Sequence, residues 1–250
     1  MSDRRYRRIV IHLRGGAFHT EAVRLAGDLA RLMGIDLLGR FVRDENVARL
    51  AGLPAVREFR LPEREWHTIE DASATMELAA AASRRLFAQV AGACSARYLF
   101  ETAPALNGMP EAEDIVVVPP RGAGEPAPTR TEAEPKGAAG MLFVPYRIAR
   151  RQGPVVAFTA GSDEPALATA AAIAASAGER LLHLRLPETP GIPVAPGPGF
   201  PTPRLAVFGR MPADTDLPAA MLRRGIPVLI LREDRPAEPA EPPRRPENHG

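Results

Sequence analysis

Six residues have the types and spacing to hold an anion. Arg14, Gly15 and Gly16 follow the first apolar run of the chain, Ile9–Leu13, and Arg121, Gly122 and Gly124 follow a later one, Asp114–Val118. Glycine lets backbone N–H groups approach a phosphate closely, and an arginine guanidinium is a charged, two-pronged donor. Both runs have strand character, so both sets fall where a parallel sheet opens its carboxyl edge, the usual ligand position in such sheets. The same glycines also serve tight turns, so the pattern reads either as an anion crevice or as turns with no ligand.

Other chemistry has thinner support. The histidines are dispersed, with neither an HxH nor an HxxxH spacing, which argues against a metal site. His12 lies inside the first apolar run and reads as a core histidine. His19 and His67 fall near expected helix starts. Cys94 is the only cysteine, so no internal disulfide and no cysteine-based metal site can form; it reads as a packed small residue. No nucleophile–base–acid order and no pair of acids stands out. The expectation is that the chain is not an enzyme and holds no metal.

The elements that would carry the six residues follow from hydrophobic period. Arg8–Leu13 is a nearly unbroken apolar strand, suited to burial on both faces of a parallel sheet. Thr20 is an expected N-cap. Ala22, Ala26, Leu29 and Met33 recur at helical spacing through Thr20–Met33, and Gly34 closes that helix. Ile35–Val42 is the second strand. So short a strand–helix–strand unit is a right-handed parallel crossover. Val47, Leu50, Ala51 and Leu53 predict a short helix before Pro54. A long helix is predicted from about Glu63 to Gly92, with Ile69, Ala72, Met76, Ala79, Ser83, Leu86 and Val90 as its inner stripe. Strands follow at Arg97–Glu101, Asp114–Val118 and Met141–Pro145, with residues 125–139 expected as a mobile linker. The pattern restarts at Pro154: strand Val155–Phe158, helix Glu164–Ala177, strand Arg180–Leu186, a Pro- and Gly-rich loop, strand Leu205–Phe208, helix Leu217–Arg224 and strand Ile226–Leu231. Clean alternation in Arg180–Leu186 predicts an edge strand. Residues 234–250 read as a disordered tail.

The bulk numbers fit this picture. Over 250 residues, 45% are hydrophobic and 25% charged, which allows a sizeable core. The 32 Lys+Arg nearly balance the 30 Asp+Glu, and the arginine pairs are scattered, so no concentrated basic face for nucleic acid is expected. No window approaches the roughly 18 apolar residues of a membrane span, and the N-terminal apolar run is too short for a signal-peptide core. The expected location is the cytoplasm.

Ile9-Val-Ile-His-Leu-Arg-Gly-Gly followed by His19-Thr-Glu-Ala-Val-Arg-Leu-Ala resembles the opening strand, turn and helix of the universal stress protein family. Glu113–Val118 is similar to its fourth strand, and Arg223–Leu231 to its closing helix end and fifth strand. The resemblance covers about residues 5–149 and 153–233. It implies two tandem α/β units, each a Rossmann-like (adenine nucleotide alpha hydrolase-like) open parallel sheet flanked by helices. The first is complete at 5–149. The second, at 153–233, is truncated, lacking the long helix and third strand. In this family domains commonly pair through their fifth strands, so Met141–Pro145 and Ile226–Leu231 are expected to meet within the chain; further dimerisation is compatible with this.

The family's nucleotide-binding members carry an Asp at the end of strand one and a Gly-x-x-Gly, a spacer and Gly-Ser/Thr after strand four. Here Arg14 and Ala160 stand at the two Asp positions. Pro119-Pro-Arg-Gly-Ala-Gly124 puts proline at the leading Gly, and Gly209-Arg-Met-Pro-Ala-Asp-Thr keeps one Gly. Thr159-Ala-Gly-Ser-Asp163 is only faintly similar to the phosphate loop of ATP pyrophosphatases, without its paired glycines. The resemblance therefore implies a non-catalytic stress-response or signalling protein that acts through a protein partner, with no cofactor and the usual ATP site lost. The alternative is a sensor of ATP, AMP or another phosphate-bearing small molecule, using the crevice of Arg14, Gly15, Gly16, Arg121, Gly122 and Gly124.

Overall fold

The computed structural model describes residues 6–14, 19–43, 57–60, 65–68, 72–103, 111–120, 137–160, 164–186, 200–209 and 217–232. The chain runs through β1 (Arg8–Arg14), α1 (Thr20–Met33), β2 (Asp36–Val42), β3 (Arg57–Arg60), β4 (Glu65–Thr68), α2 (Ala72–Ala93), β5 (Tyr98–Ala103), β6 (Asp114–Val118) and β7 (Gly140–Phe143). It continues through β8 (Val155–Thr159), α3 (Glu164–Ala177), β9 (Leu181–Arg185), β10 (Leu205–Phe208), α4 (Leu217–Arg223) and β11 (Val228–Leu231).

Nine strands form one sheet in the order β5-β2-β1-β6-β7-β11-β10-β8-β9. Every neighbouring pair is parallel except β7–β11, which is antiparallel and sets Leu142 opposite Leu229. The chain is therefore α/β with a mostly parallel, Rossmann-like sheet. The five-stranded and four-stranded sheets expected separately are one continuous sheet, because the fifth-strand segments named above are the two that join. β9 lies at an end of the sheet, as its alternation requires.

Successive residues in a strand face opposite sides, and the buried side chains sort accordingly. Ile9, Ile11 and Leu13 of β1, Leu37 and Phe41 of β2, Leu142 of β7, Val155 and Ala157 of β8 and Leu229 of β11 share one core cluster with α1, α2 and α3. Phe143, Val156, Phe158, Ala206, Phe208, Val228 and Ile230 pack on the other face with Leu217 and Met221 of α4. Three helices thus cover one face along most of its width. That cluster reaches from Tyr6 to Leu231 without a break at the antiparallel join. β8, β10 and β11 are buried at every residue, as strands covered on both faces must be.

Three local expectations change. α2 begins at Ala72, and Glu65–Thr68, expected as its first turn, is a strand paired antiparallel with Arg57–Arg60, Phe59 opposite Trp66. Aromatic and β-branched residues favour a pleated pair, and two short strands close in sequence can zip locally at little entropic cost. The inner stripe of α2 departs at one expected position: Val90 is buried and Met76, Ala79 and Ser83 are half-buried, but Leu86 is exposed, and Phe87 and Ala91 are buried instead. Gly39 explains this, because a Cβ there would lie 2.8 Å from the Phe87 ring. The bare backbone of β2 is the socket that draws Phe87 inward. Third, Thr20 is the first residue of α1 and His19 its N-cap, without a side-chain capping bond.

The end of the expected linker is built into the sheet. Ala138 is buried, the Ala139 N–H donates to the Asp114 carbonyl at 2.8 Å, and the Arg232 N–H donates to the Ala139 carbonyl at 2.7 Å. The helix expected around 47–53, most of the linker, the Pro-rich loop up to 199 and the tail lie outside the described residues. Among the described residues no helix is long and apolar enough to cross a membrane.

Candidate functional site

The site that the sequence points to lies at the carboxyl ends of β1 and β6. The two strands pair directly, Arg8 with Asp114 through Ile11 with Val117, and β1 continues to Arg14 opposite Val42 of β2. From β1 the chain crosses over α1 to β2 on one side, while β6 flanks it on the other. This is the point where strand order reverses, the position at which open α/β sheets take their ligands. Of the six candidate residues, Arg14 closes β1. Gly15, Gly16, Arg121, Gly122 and Gly124 lie outside the described residues, as does the turn between Arg14 and His19. Pro119 and Pro120 lead directly out of β6. Neither proline can offer an N–H to an anion.

A second reversal falls between β8 and β10, which pair from Leu205 with Val155 to Phe208 with Phe158. Here the described residues carry chemistry that sequence reasoning missed. Thr159 is the last residue of β8, not the first of the turn, and it is 3% exposed. Its Oγ1 lies 2.8 Å from Nε2 of His183 on β9. The hydroxyl is thereby satisfied and the exposed imidazole is held against the end of β8. Only the β8–β9 register, Ala157 opposite His183, brings the two together, and 24 residues separate them in sequence. On the other face of the sheet Phe158 and Phe208 stack at 4.6 Å with planes 8° apart, in the core under α4.

The opposite, amino edge of the sheet holds the strongest polar cluster. Arg8 Nε donates to Asp114 Oδ1 at 2.7 Å and its Nη2 to Oδ2 at 3.1 Å. The same Nη2 reaches Glu111 Oε1 at 2.8 Å, and Arg7 Nη1 reaches Glu111 Oε2 at 3.0 Å. The Glu111 N–H donates back to Asp114 Oδ2 at 3.0 Å. Asp114 is fully buried, so its charge is balanced by the fork-shaped donor of Arg8. The hydrogen bond to Asp114 in turn holds the Arg8 pKa above its ordinary value. The cluster clamps β1 to β6 and to the turn before it.

Cys94 sits where α2 ends against α1. Its S–H points to the Arg24 carbonyl at 3.6 Å, and a Cβ on Gly27 would lie 3.1 Å from its own Cβ. Burial, then the charge of Asp28, pushes the thiol pKa up. A raised thiol is a poor nucleophile at neutral pH, which matches the packed role expected for it. Among the described residues no group of three or more His, Cys, Asp or Glu is placed to hold a metal ion.

No protein-family model matches the chain, and no curated protein matches it at a significant level.

Proposed function

We propose that the chain is a universal-stress-protein-like, non-catalytic protein of stress response or signalling, acting in the cytoplasm through a protein partner, with the family's usual ATP site lost. The observation that carries this reading is strand order. β5-β2-β1-β6-β7 is an open parallel half-sheet, and β9-β8-β10-β11 repeats its order without the outermost strand. The two halves meet antiparallel through their last strands, β7 and β11. Each half begins with a strand–helix–strand crossover whose helix lies on the same face. These features support two tandem units, 5–149 and a truncated 153–233, related by a two-fold axis through the join.

Loss of the nucleotide site is supported by chemistry at the first crevice. An acid at the end of the first strand would receive ribose hydroxyls; Arg14 offers donors only. Pro119 and Pro120 remove N–H groups from the loop that would cradle phosphates. At the end of β8 the Thr159 hydroxyl is taken up by His183. The alternative, an anion or nucleotide sensor, draws its support from Arg14 and Arg121 beside the glycines of the first crevice.

The test is a thermal-shift titration with millimolar ATP, AMP and phosphorylated metabolites, run beside an ATP-turnover assay. Neither stabilisation nor turnover is expected. Ligand at a hundred times Kd would stabilise the fold by about 2.7 kcal/mol, which is readily seen. A shift of that kind, abolished in Arg14→Ala, would replace the first reading with the sensor; turnover of ATP would overturn both.

A further inference from the structure

We propose that the chain forms a two-fold homodimer in which β5 pairs antiparallel with β5 of a second copy. The two ends of the sheet are not alike. β9 carries exposed His183 and Arg185 on one side and buries Leu186 on the other, the charged form by which proteins blunt a free edge. β5 is longer and exposes Tyr98 at 42% and Leu99 at 56%. Tyr98 lies on the α2 face of the sheet, beside the Phe87 ring, and Leu99 on the other face, so the edge strand exposes a large apolar side chain on each side. A long edge strand of that kind is not blunted against pairing and marks an interface.

The occupant follows from the strand itself. The Leu37 N–H donates to the Arg97 carbonyl and the Arg43 N–H to the Ala103 carbonyl, so odd-numbered residues of this segment turn their backbone groups toward β2. Tyr98, Phe100 and Thr102 therefore turn theirs toward the open edge. A closed symmetric pair in the plane of the sheet must be antiparallel. With Leu99 on the two-fold axis, Tyr98 and Phe100 of the second copy form hydrogen-bonded pairs, Leu99 meets its own copy, and Arg97 stands opposite Glu101 of the second copy, twice. Moving the axis to Phe100 would set Leu99 against Glu101 instead. The strand is thus self-complementary in hydrophobicity and in charge in one register only. Arg97 and Glu101 are both exposed, with side chains 69% and 46% accessible; Arg97 pairs with Asp36 and Glu101 with Arg40 within the chain, and the bridge across the axis extends these two pairs into one network. The chain already contains one join of this geometry, β7 with β11.

Sedimentation velocity on the full chain at micromolar concentration tests this. A species of twice the chain mass is expected. Leu99→Lys, an exposed position where the variant folds, sets like charges against each other on the axis and should raise the dimer dissociation constant by at least about tenfold. Arg97→Glu and Glu101→Arg should each dissociate alone and form a heterodimer when mixed, since mixing restores opposite charges at both positions. A monomeric wild type, a dimer indifferent to Leu99→Lys, or a dimer broken by His183→Lys at the other edge would overturn the proposal.

Discussion

Asp114 is the clearest case of a residue whose role the sequence hides. It reads as the polar first residue of a β-branched strand. In the fold it is the fully buried anchor of Arg8, of the Glu111 N–H and, through its carbonyl, of the Ala139 N–H. Removing one member of a buried pair leaves the other charge without its balance. Asp114→Ala should therefore destabilise the protein by about 3 kcal/mol, whereas Glu111→Ala, at a half-exposed position, should cost under about 1 kcal/mol. Denaturant melts of the two variants check this; equal effects would mean that the carboxylates share the arginine evenly. Thr159 and His183 teach the same lesson. Side-chain partners far apart in sequence are fixed by strand register, and a single sequence does not print register. By contrast, Gly34, Gly178 and Gly225 are legible as helix ends, since each lies in the left-handed region and only local geometry is involved. The six proposed anion residues are legible as a class, glycine and arginine after strands, but only Arg14 falls within the described residues.

At the scale of elements, legibility depended on whether a local signal met competition. β1, α1 and β2 emerge as read because apolar period, glycine closure and short connection all agree. α2 does not, because two registers of its alanine-rich surface look equally apolar. The choice between Leu86 and Phe87 is made by a residue on another element, Gly39, whose missing Cβ admits the Phe87 ring beside Tyr98 at 5.9 Å and Phe100 at 5.8 Å. Gly39→Ala should then cost about 2 kcal/mol by overpacking, with α2 displaced from β2. The penalty should shrink by at least half when measured in a Phe87→Leu background, because the smaller side chain vacates the contact. Additive losses in the double-mutant cycle would show that Gly39 serves the strand backbone and not the helix above it.

For the whole molecule the meeting of the two last strands and the edge position of β9 were legible, and the unity of the sheet was not. Two repeats of one pattern suggest two bodies, yet the β7–β11 ladder and the helix layer make one sheet with one core on its helical face. Tyr6 reaches α3, with its hydroxyl 3.3 Å from Thr169 Oγ1, across the boundary a two-domain reading would draw at residues 149–153. Cooperativity follows from shared burial, so heat should unfold both halves in one transition. Leu229, fully buried at the join opposite Leu142, is the sensitive place to ask. Leu229→Ala should cost about 3 kcal/mol and lower that one transition by roughly 6–10 °C. Scanning calorimetry reads the answer directly. If the halves were thermodynamically separate, the variant would split the trace, leaving an unshifted peak for the half that lacks the cavity; a single displaced peak means that the join belongs to the core and that the repeats fold as one unit.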